Sequence, residues 1–224
     1  VRRKEDARFI TGQGRYTDDF SQPGQVYAAF LRSPYARARI DSVDASEALA
    51  MEGVLAVLTG QDMAADGLGD LPCGWTVKQK DGSDMVTAPH PPLAHSVVNY
   101  AGEPFGLVIA SSAAIAGRAA EQVVTEFTEL DAVVEPAMAM KSEDIHAGVV
   151  GNLCYDWELG EESATDAALA SAAHVTRLDL TNNRLIPNAM EPRAALGVYD
   201  AGTGEHTLYT TSQNPHLERL VLSA

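Results

Sequence analysis

The chain has 224 residues, of which 46% are hydrophobic and 21% are charged, and its formal net charge is −15. This length allows one large or two small domains, each able to bury a core. The acidic balance excludes unassisted binding to nucleic acid or to an anionic membrane, because both partners need a basic surface. No apolar run reaches the roughly 18–20 residues of a transmembrane helix, and we expect a cytoplasmic protein with no membrane span.

The first hundred residues predict an extended lead-in followed by short strands and helices. Residues 1–13 are charged and turn-rich, and β-branched or aromatic runs then indicate strands. The glycines and prolines of Gly67–Pro92 predict a long loop. The predicted strands are Val26–Arg32, Ala38–Val43 and Val54–Leu58, and the predicted short helices are Glu47–Met51, capped by Ser46, and a helix from Gln61.

The stretch Gly102–Pro136 predicts a continuous strand–helix–strand unit. Phe105–Ala110 has the length of a buried strand, and Ser111 or Ser112 offers a hydroxyl to cap a helix. From Ala113 onward, apolar residues four apart predict one helical face that extends through Phe127. Ala132–Val134 is predicted as the second strand, ending at Pro136. The unit carries no nucleophile or ligand cluster and is therefore interpreted as a scaffold.

The second half of the chain predicts a domain boundary and then more sheet. The composition changes in Lys141–Gly160, which becomes acidic and glycine-containing. Beyond it, Ala164–Ala172 predicts a helix and Ala173–Thr181 a strand. Two further runs, Leu196–Tyr199 and Thr207–Thr211, flank a turn sequence and predict a hairpin.

Histidine and cysteine pairs do not form a metal site by spacing. His90 and His95 lie five apart in a proline-rich loop, without the further ligands that metal sites require. Cys73 and Cys154 also lack a metal-type spacing. For the cysteines the sequence leaves a disulfide open, and two reduced thiols in a cytoplasmic protein are the preferred interpretation. We expect no metal site in this chain.

The motifs of common catalytic sites are missing from the sequence. It contains no P-loop, no Gly-x-Ser-x-Gly elbow and no His-Glu-x-x-His. Glu126 and Glu129 could be paired carboxylates on the predicted helix, but a solvated helical face explains them better. Asp18 and Asp19 supply fewer oxygens than calcium prefers.

Two short polar stretches are better candidates for a site. Met190-Glu191-Pro192-Arg193 places an acid and a base around a rigid proline. Residues 212–216, SQNPH, place two amides and an imidazole at the end of a predicted strand, just before a new helix. Such positions often hold ligands, and amides donate directional hydrogen bonds without titrating. Turn formation is the competing explanation for each stretch.

Several motifs, taken together and in order, resemble one family. They are GRYTDDF, QPGQVYAAFLRSPYARARIDSVDASEALAMEGVLAVLTGQD, PPLAHSVVNYAGEPFGLVIA, NAMEPRAALGVYD and LYTTSQNPH. This order resembles the molybdenum-binding large subunit of the xanthine dehydrogenase and aldehyde oxidase superfamily, in particular the carbon monoxide dehydrogenase large-chain type. The resemblance runs from about Arg3 to the last residue, and we expect the chain to be an N-terminal piece of such a subunit.

The resemblance implies an α+β fold in two parts. Residues 1–13 are the extended lead-in and residues 14–140 an α/β hammerhead domain. Residues 141–160 are a linker, and residues 161–224 are the truncated start of the first molybdopterin-binding domain. The second part is expected to expose apolar surface that later strands would cover.

The resemblance also implies a chemistry for the full-length protein. Family members hydroxylate a carbon centre of a small molecule or oxidise carbon monoxide, and the oxygen comes from water. Gln213 matches the glutamine that hydrogen-bonds an oxo group on molybdenum, while Glu191 and Arg193 match a stretch interpreted as structural. A molybdopterin cofactor, an iron–sulfur small subunit and an FAD-binding medium subunit are implied for the complete enzyme. No catalytic residue is expected within these 224 residues, and this piece alone is expected to bind no cofactor.

Two other interpretations are weighed against this one. A non-enzymatic interaction module could retain the hammerhead scaffold without the chemistry. A dinucleotide-binding domain is suggested by the strand–helix–strand unit, but its turn at Ala110-Ser111-Ser112 lacks the glycines that admit a pyrophosphate. The chain also departs from the family at residues 127–131, where a proline-containing turn is usual, and this departure affects no cofactor contact.

Overall fold

The computed structural model describes residues 3–183, 185–189 and 191–223. The chain divides into two compact units. The central unit consists of Gly24–Glu158 together with the residues from Arg219 onward. The terminal unit consists of the residues up to Pro23 together with Leu159–Glu218.

The central unit contains two three-stranded antiparallel sheets. The first sheet has the order β1-β5-β3 and the second has the order β4-β2-β6. The strands are β1 Tyr27–Arg32, β2 Ala38–Asp44, β3 Val54–Thr59, β4 Val97–Val98, β5 Pro104–Ala110 and β6 Val124–Glu129. The middle strand of the first sheet, β5, has no exposed residue: four of its seven positions are buried and three are half-buried, so both of its faces are covered. The expected strands in the first half are therefore confirmed.

The hydrophobic core of the central unit contains residues of both sheets and of two helices. Phe105 and Val108 of the first sheet belong to the same buried cluster as Ala38 and Val98 of the second. Phe105 meets the partly buried Phe127 edge to face, with ring centroids 5.5 Å apart. Burying a large apolar side chain contributes about 1.5–3 kcal/mol, so this cluster holds the two sheets together.

Three short helices pack around the sheets of the central unit. They are α2 Ser46–Ala50, α3 Gly60–Ala65 and α4 Ala113–Ala120. Helix α4 begins as predicted, because the Ser112 hydroxyl accepts a hydrogen bond of 3.2 Å from the Ile115 amide. The prediction that Ser46 caps α2 was wrong: Ser46 is the first helical residue, and its amide donates to Asp44 Oδ1 at 2.9 Å.

The predicted extent of α4 was also wrong. The helix ends at Ala120, and the following residues form strand β6 instead of further helical turns. The apolar spacing of four residues does not distinguish the two structures, since residues four apart also share one face of a strand. Val124–Glu129, which contains β-branched residues, pairs with β2, and this pairing selects a strand over a helix. No strand forms at Ala132–Val134; Pro136 instead begins a 3₁₀ helix that ends at Lys141.

Irregular chain connects these elements, as the glycine and proline content predicts. The stretch Gly67–Pro92 is a loop with one isolated bridge, between Lys78 and Asp84. Inside the predicted linker, a short 3₁₀ helix spans Val150–Asn152. The Asn152 amide group donates to the carbonyl oxygens of Ala139 and Glu143 at 2.8 and 2.9 Å, which orders this part of the linker.

The terminal unit is built from helices and one hairpin. Its elements are α1 Asp6–Ile10, a 3₁₀ helix Thr17–Asp19, α5 Glu162–Ser171, β7 Ala195–Asp200, β8 Glu205–Thr210 and the start of α6 Pro215–Leu222. The helix predicted over Ala164–Ala172 is confirmed as α5, the hairpin is confirmed, and the helix expected next to SQNPH is α6, which begins at Pro215 within that stretch. Two other predictions were wrong: the lead-in contains helix α1, and residues 173–181 form no strand.

The apolar surface expected in the second half of the chain is present. Four aliphatic side chains between residues 178 and 186 have exposed fractions of 75%, 82%, 86% and 85%, and they are Leu178, Leu180, Leu185 and Ile186. In contrast to the central unit, the terminal unit has no buried side chain among its described residues. None of the described helices is both long enough and apolar enough to cross a bilayer.

Candidate cofactor-binding site

Gln213 lies between the end of β8 and the start of α6, the strand-to-helix junction that the sequence predicted. Its two neighbours use their side chains to hold the backbone. The Ser212 hydroxyl accepts from the Asn214 amide at 3.0 Å, and Asn214 Oδ1 accepts from the Leu217 amide at 3.3 Å. The Gln213 side chain is exposed and makes no hydrogen bond to any described residue. The Gln213 side-chain amide, an uncharged donor and acceptor, is therefore exposed on an ordered turn.

The hairpin that leads to Gln213 is regular. Strands β7 and β8 pair from Ala195 with Thr210 to Asp200 with Glu205 without a register shift. In the turn, Asp200 Oδ1 accepts from the amides of Gly202 and Thr203, at 2.7 and 3.3 Å, and these bonds lower the pKa of Asp200. The turn residues thus fix the register of the strand that ends just before the candidate site.

Glu191 has a defined structural contact, whereas Arg193 has none. Glu191 Oε1 accepts from the Thr17 amide at 3.2 Å and lies 3.5 Å from the Thr17 hydroxyl. Arg193 is exposed and forms no ion pair within the described part of the chain. Met190, the first residue of this stretch, lies outside the described residues. Sequence reasoning did not find Thr17 as the partner of Glu191, because the two are 174 positions apart.

The histidine pair considered as a metal site is separated by the fold. His90 lines an open cavity of about 400 Å³, and His95 lines a different one of about 350 Å³. Across the described residues, no group of three or more histidine, cysteine or carboxylate side chains is arranged to hold a metal ion. Cys73 and Cys154 line the same cavity as His90, and both are free thiols.

The carboxylates considered for acid–base chemistry have other roles. Glu126 and Glu129 lie on strand β6, not on a helix, and residues three apart on a strand face opposite sides. Glu126 accepts a hydrogen bond of 3.1 Å from the Ser42 hydroxyl across the sheet. Asp19 Oδ2 accepts from the Tyr16 amide at 2.8 Å and so closes the first turn of the 3₁₀ helix.

Comparisons with known families divide the chain into two ranges. Residues 11–131 match the family described as aldehyde oxidase and xanthine dehydrogenase, a/b hammerhead domain. Residues 145–224 match the molybdopterin cofactor-binding domain. The second match confirms the cofactor class expected from the resemblance.

Individual relatives agree with these matches. The chain is 33% identical to the carbon monoxide dehydrogenase large chain of Afipia carboxidovorans, over 99% of this chain and 28% of the relative. It is 32% identical to the nicotine 6-hydroxylase large subunit of Paenarthrobacter nicotinovorans, over 100% of this chain and 27% of the relative. The chain thus spans little more than a quarter of the length of these relatives.

Solved structures share the fold. The reconstituted carbon monoxide dehydrogenase from Oligotropha carboxidovorans superposes with a TM-score of 0.84 at 32% identity, covering 100% of this chain and 28% of that chain. Quinoline 2-oxidoreductase from Pseudomonas putida 86 superposes with a TM-score of 0.75 at 33% identity, covering 95% and 26%.

The fold and the matched ranges define an α/β hammerhead domain followed by the start of a molybdopterin-binding domain, as expected. The chain belongs to the aldehyde oxidase and xanthine dehydrogenase family, and it is homologous to the large chain of carbon monoxide dehydrogenase.

The residues present fit a molybdopterin cofactor in one respect. The Gln213 amide has no partner among the described residues and is held by a turn in which the Ser212 hydroxyl and Asn214 Oδ1 accept backbone hydrogen bonds. An amide can donate to an oxygen acceptor and accept from a donor in the same plane. This donor set suits the oxygen-rich cofactor of the matched domain.

Proposed function

We propose that the chain is the N-terminal part of the large subunit of a molybdenum hydroxylase. In this proposal the whole protein is an oxidoreductase that oxidises carbon monoxide, an aldehyde or an N-heterocycle with oxygen derived from water. The observation that carries it is the Gln213 amide at the strand-to-helix turn, which has no partner among the described residues and lies inside the range that matches a molybdopterin-binding domain. The named relatives act on different substrates, and they support the reaction class without choosing among its substrates.

In the proposed mechanism, Gln213 binds and orients. Its side-chain N–H would donate a hydrogen bond to an oxygen atom of the cofactor, and since the amide does not titrate, this contact would persist across the physiological pH range. The cofactor, when bound, supplies Lewis-acid activation of a water-derived oxygen and accepts two electrons. Such chemistry would also need a carboxylate base to take up a proton, and we propose that this base lies outside these residues. We therefore propose that this piece alone is catalytically inactive and binds no cofactor.

The proposed electron acceptors are an iron–sulfur small subunit and an FAD-binding medium subunit. The relatives that are named as large subunits or as part of a dehydrogenase complex support an assembly of several chains. The net charge of −15 gives no support to a nucleic-acid partner. Two free thiols fit a reducing compartment, so we place the protein in the cytoplasm.

The first test compares molybdenum content in the full-length protein and in this chain, expressed with the pterin cofactor available. We expect bound molybdenum in the full-length protein and none in this chain. In the full-length protein, Gln213→Ala should lower turnover per bound molybdenum about 10- to 100-fold, because one hydrogen bond to a charged centre is lost. Carbon monoxide, an aldehyde and an N-heterocycle are tried as substrates.

The matched control is Gln122→Ala, which removes an exposed glutamine from the central unit. Equal turnover of the two variants would contradict the role of Gln213. Full-length protein without molybdenum would contradict the proposed enzyme class and favour the non-enzymatic interaction module.

A further inference from the structure

A short segment near the N-terminus contacts the hairpin that leads to Gln213. We call this segment, Arg15–Phe20, the brace. Glu191, just ahead of β7, accepts from the Thr17 amide at 3.2 Å. The rings of Phe20 and Tyr209 stack with centroids 5.7 Å apart and an interplanar angle of 18°. The brace therefore makes one polar contact just ahead of the hairpin and one aromatic contact on strand β8.

The brace has internal order of its own. Asp19 Oδ2 accepts from the Tyr16 amide at 2.8 Å, and the Asp19 amide donates to the Tyr16 carbonyl at 3.0 Å. The Arg15 guanidinium lies 4.8 Å from the centre of the Phe20 ring. Such local bonds fix the backbone before any contact with the hairpin is made, so the contacts cost less conformational entropy.

Both contacts fall at the same end of the hairpin. Ala195 pairs with Thr210 and Leu196 with Tyr209, at the end opposite to the turn. Glu191 precedes the first of these residues by four positions, and Tyr209 precedes Gln213 by four. The brace thus holds the end at which the chain leaves the sheet and enters the Gln213 turn.

The hairpin needs such support because it has little burial of its own. A two-stranded sheet is only marginally stable in water. Strand β8 is exposed at every position except Thr210, and no described residue of β7 or β8 is buried. The stacked pair and the Glu191 bonds are therefore a large part of what fixes its open end.

We infer that Glu191 is a positioning residue: through the brace it fixes the end of β8 and hence the direction in which Gln213 points. The inference rests on the proposed function only where it assigns Gln213 a cofactor to bind. The contacts also show that residues 15–20, although matched to the hammerhead family, fold with the start of the molybdopterin-binding domain.

The test measures amide hydrogen exchange in the whole chain for residues 210–214. Glu191→Ala removes the acceptor for the Thr17 amide. Amide exchange of residues 210–214 should then become about three- to tenfold faster, which is the range expected for one lost hydrogen bond. Glu191→Gln keeps an acceptor oxygen and should stay within about twofold of the wild type. This rescue by the conservative variant separates an acceptor role from a role of the charge.

Glu205→Ala is the matched control, because Glu205 lies at the turn end of the same hairpin and its side chain bonds to no described residue. Equal exchange in Glu191→Ala and Glu205→Ala would overturn the inference. Should Glu191→Ala fail to fold, Phe20→Leu tests the second contact: the same residues should exchange at least about twofold faster, and unchanged exchange would equally overturn it.

Turnover and molybdenum content of the full-length protein test the proposed function separately from the exchange experiment. If the brace acts through Gln213, Glu191→Ala lowers turnover per bound molybdenum and Glu191→Gln restores it. Faster exchange together with unchanged turnover would overturn the role of Glu191 in positioning Gln213. Absence of molybdenum in the wild type would instead contradict the proposed function and leave the exchange result standing.

Discussion

The carbonyl oxygen of Ala94 occupies the space in which a side chain at residue 60 would begin. A Cβ atom built on Gly60 would lie 2.2 Å from that oxygen and 2.7 Å from the carbonyl oxygen of Leu93. Both neighbours are backbone atoms that cannot rotate away. The first helical residue of α3 must therefore be glycine because of a segment more than thirty positions further along the chain.

Replacing this glycine gives a prediction with a matched control. Gly60→Ala should destabilise the chain by about 1–3 kcal/mol, since overpacking exceeds the gain in helix propensity. At Gly117, in α4, no atom other than the neighbouring helix backbone lies within 4 Å of the new methyl group, and Gly117→Ala should stabilise the chain by about 0.5–1 kcal/mol. Urea unfolding measures the free energy of unfolding of both variants. A stabilising Gly60→Ala would show that the backbone at Ala94 does not stay in close contact with residue 60.

At the same scale, Gln213 and Glu191 show what a residue pattern can predict. The stretch SQNPH was singled out from its residue types and its place after a strand, Gln213 within it was proposed from the family resemblance, and its local turn is made by sequence neighbours. Thr17 and Phe20, which contact Glu191 and Tyr209, lie in the family-like stretch GRYTDDF, but their residue types did not predict these contacts. Their roles arise from contacts between distant parts of the chain, which residue type does not encode.

At the scale of elements, helix α3 has an N-terminus capped by reciprocal hydrogen bonds between Thr59 and Asp62. Asp62 Oδ2 accepts from the Thr59 amide and from the Thr59 hydroxyl, each at 2.7 Å. The Thr59 hydroxyl in turn accepts from the Asp62 amide at 3.4 Å. The bonds from Thr59 lower the pKa of Asp62, because they stabilise its ionised form. This capping box joins the end of β3 to the helix that follows it.

The lowered pKa predicts how the stability of α3 depends on pH. A carboxyl whose folded pKa is depressed stabilises the fold above its unfolded pKa, about 3.9, and this contribution is lost as pH falls through the folded pKa. Asp62→Ala should therefore lower the melting temperature at pH 6, and the difference from the wild type should narrow towards pH 3.

The control for that experiment is Asp66→Ala, at the other end of α3. Asp66 carries negative charge near the helix C-terminus, where it does not favour the helix. Its replacement should leave the melting temperature unchanged or slightly raised at pH 6. A pH-independent effect of Asp62→Ala would contradict the electrostatic part of the cap.

Elements with strong local signals were predicted, and elements that depend on pairing were not. An apolar run predicts strand β5, and a serine cap predicts the start of helix α4. A turn sequence predicts the β7–β8 hairpin. Strand β6 was mistaken for helix because its apolar spacing fits both periods, and only pairing with β2 selects the strand. The stretch 173–181 has a strand-like pattern but no neighbouring strand to pair with in this structure.

At the scale of the whole molecule, burial is concentrated in one unit. Among the described residues, every buried side chain belongs to the central unit, while the terminal unit exposes Leu178, Leu180, Leu185 and Ile186. Apolar surface of this kind marks a place where another protein segment normally packs. The two units should therefore differ strongly in stability.

Hydrogen exchange across the whole chain tests this contrast. The amides of β5 should exchange far more slowly than those of β7 and β8. Leu93 is 2% exposed, and Leu93→Ala should cost about 2–5 kcal/mol, which accelerates exchange in β5 by at least about 30-fold when exchange occurs by unfolding. Leu93→Met conserves volume and should have a much smaller effect. Similar protection in β5 and β8 would contradict the uneven burial.

The sequence by itself determined the locally encoded features of this protein: the α+β class, most strands, the hairpin, the family and the position of Gln213. These depend on residue type, on short-range spacing and on the order of motifs. Only the tertiary structure decided that β6 is a strand, that residue 60 must be glycine and that the brace folds with the hairpin. Each of these depends on which distant segments meet, and contact between distant segments leaves no periodic pattern in the chain.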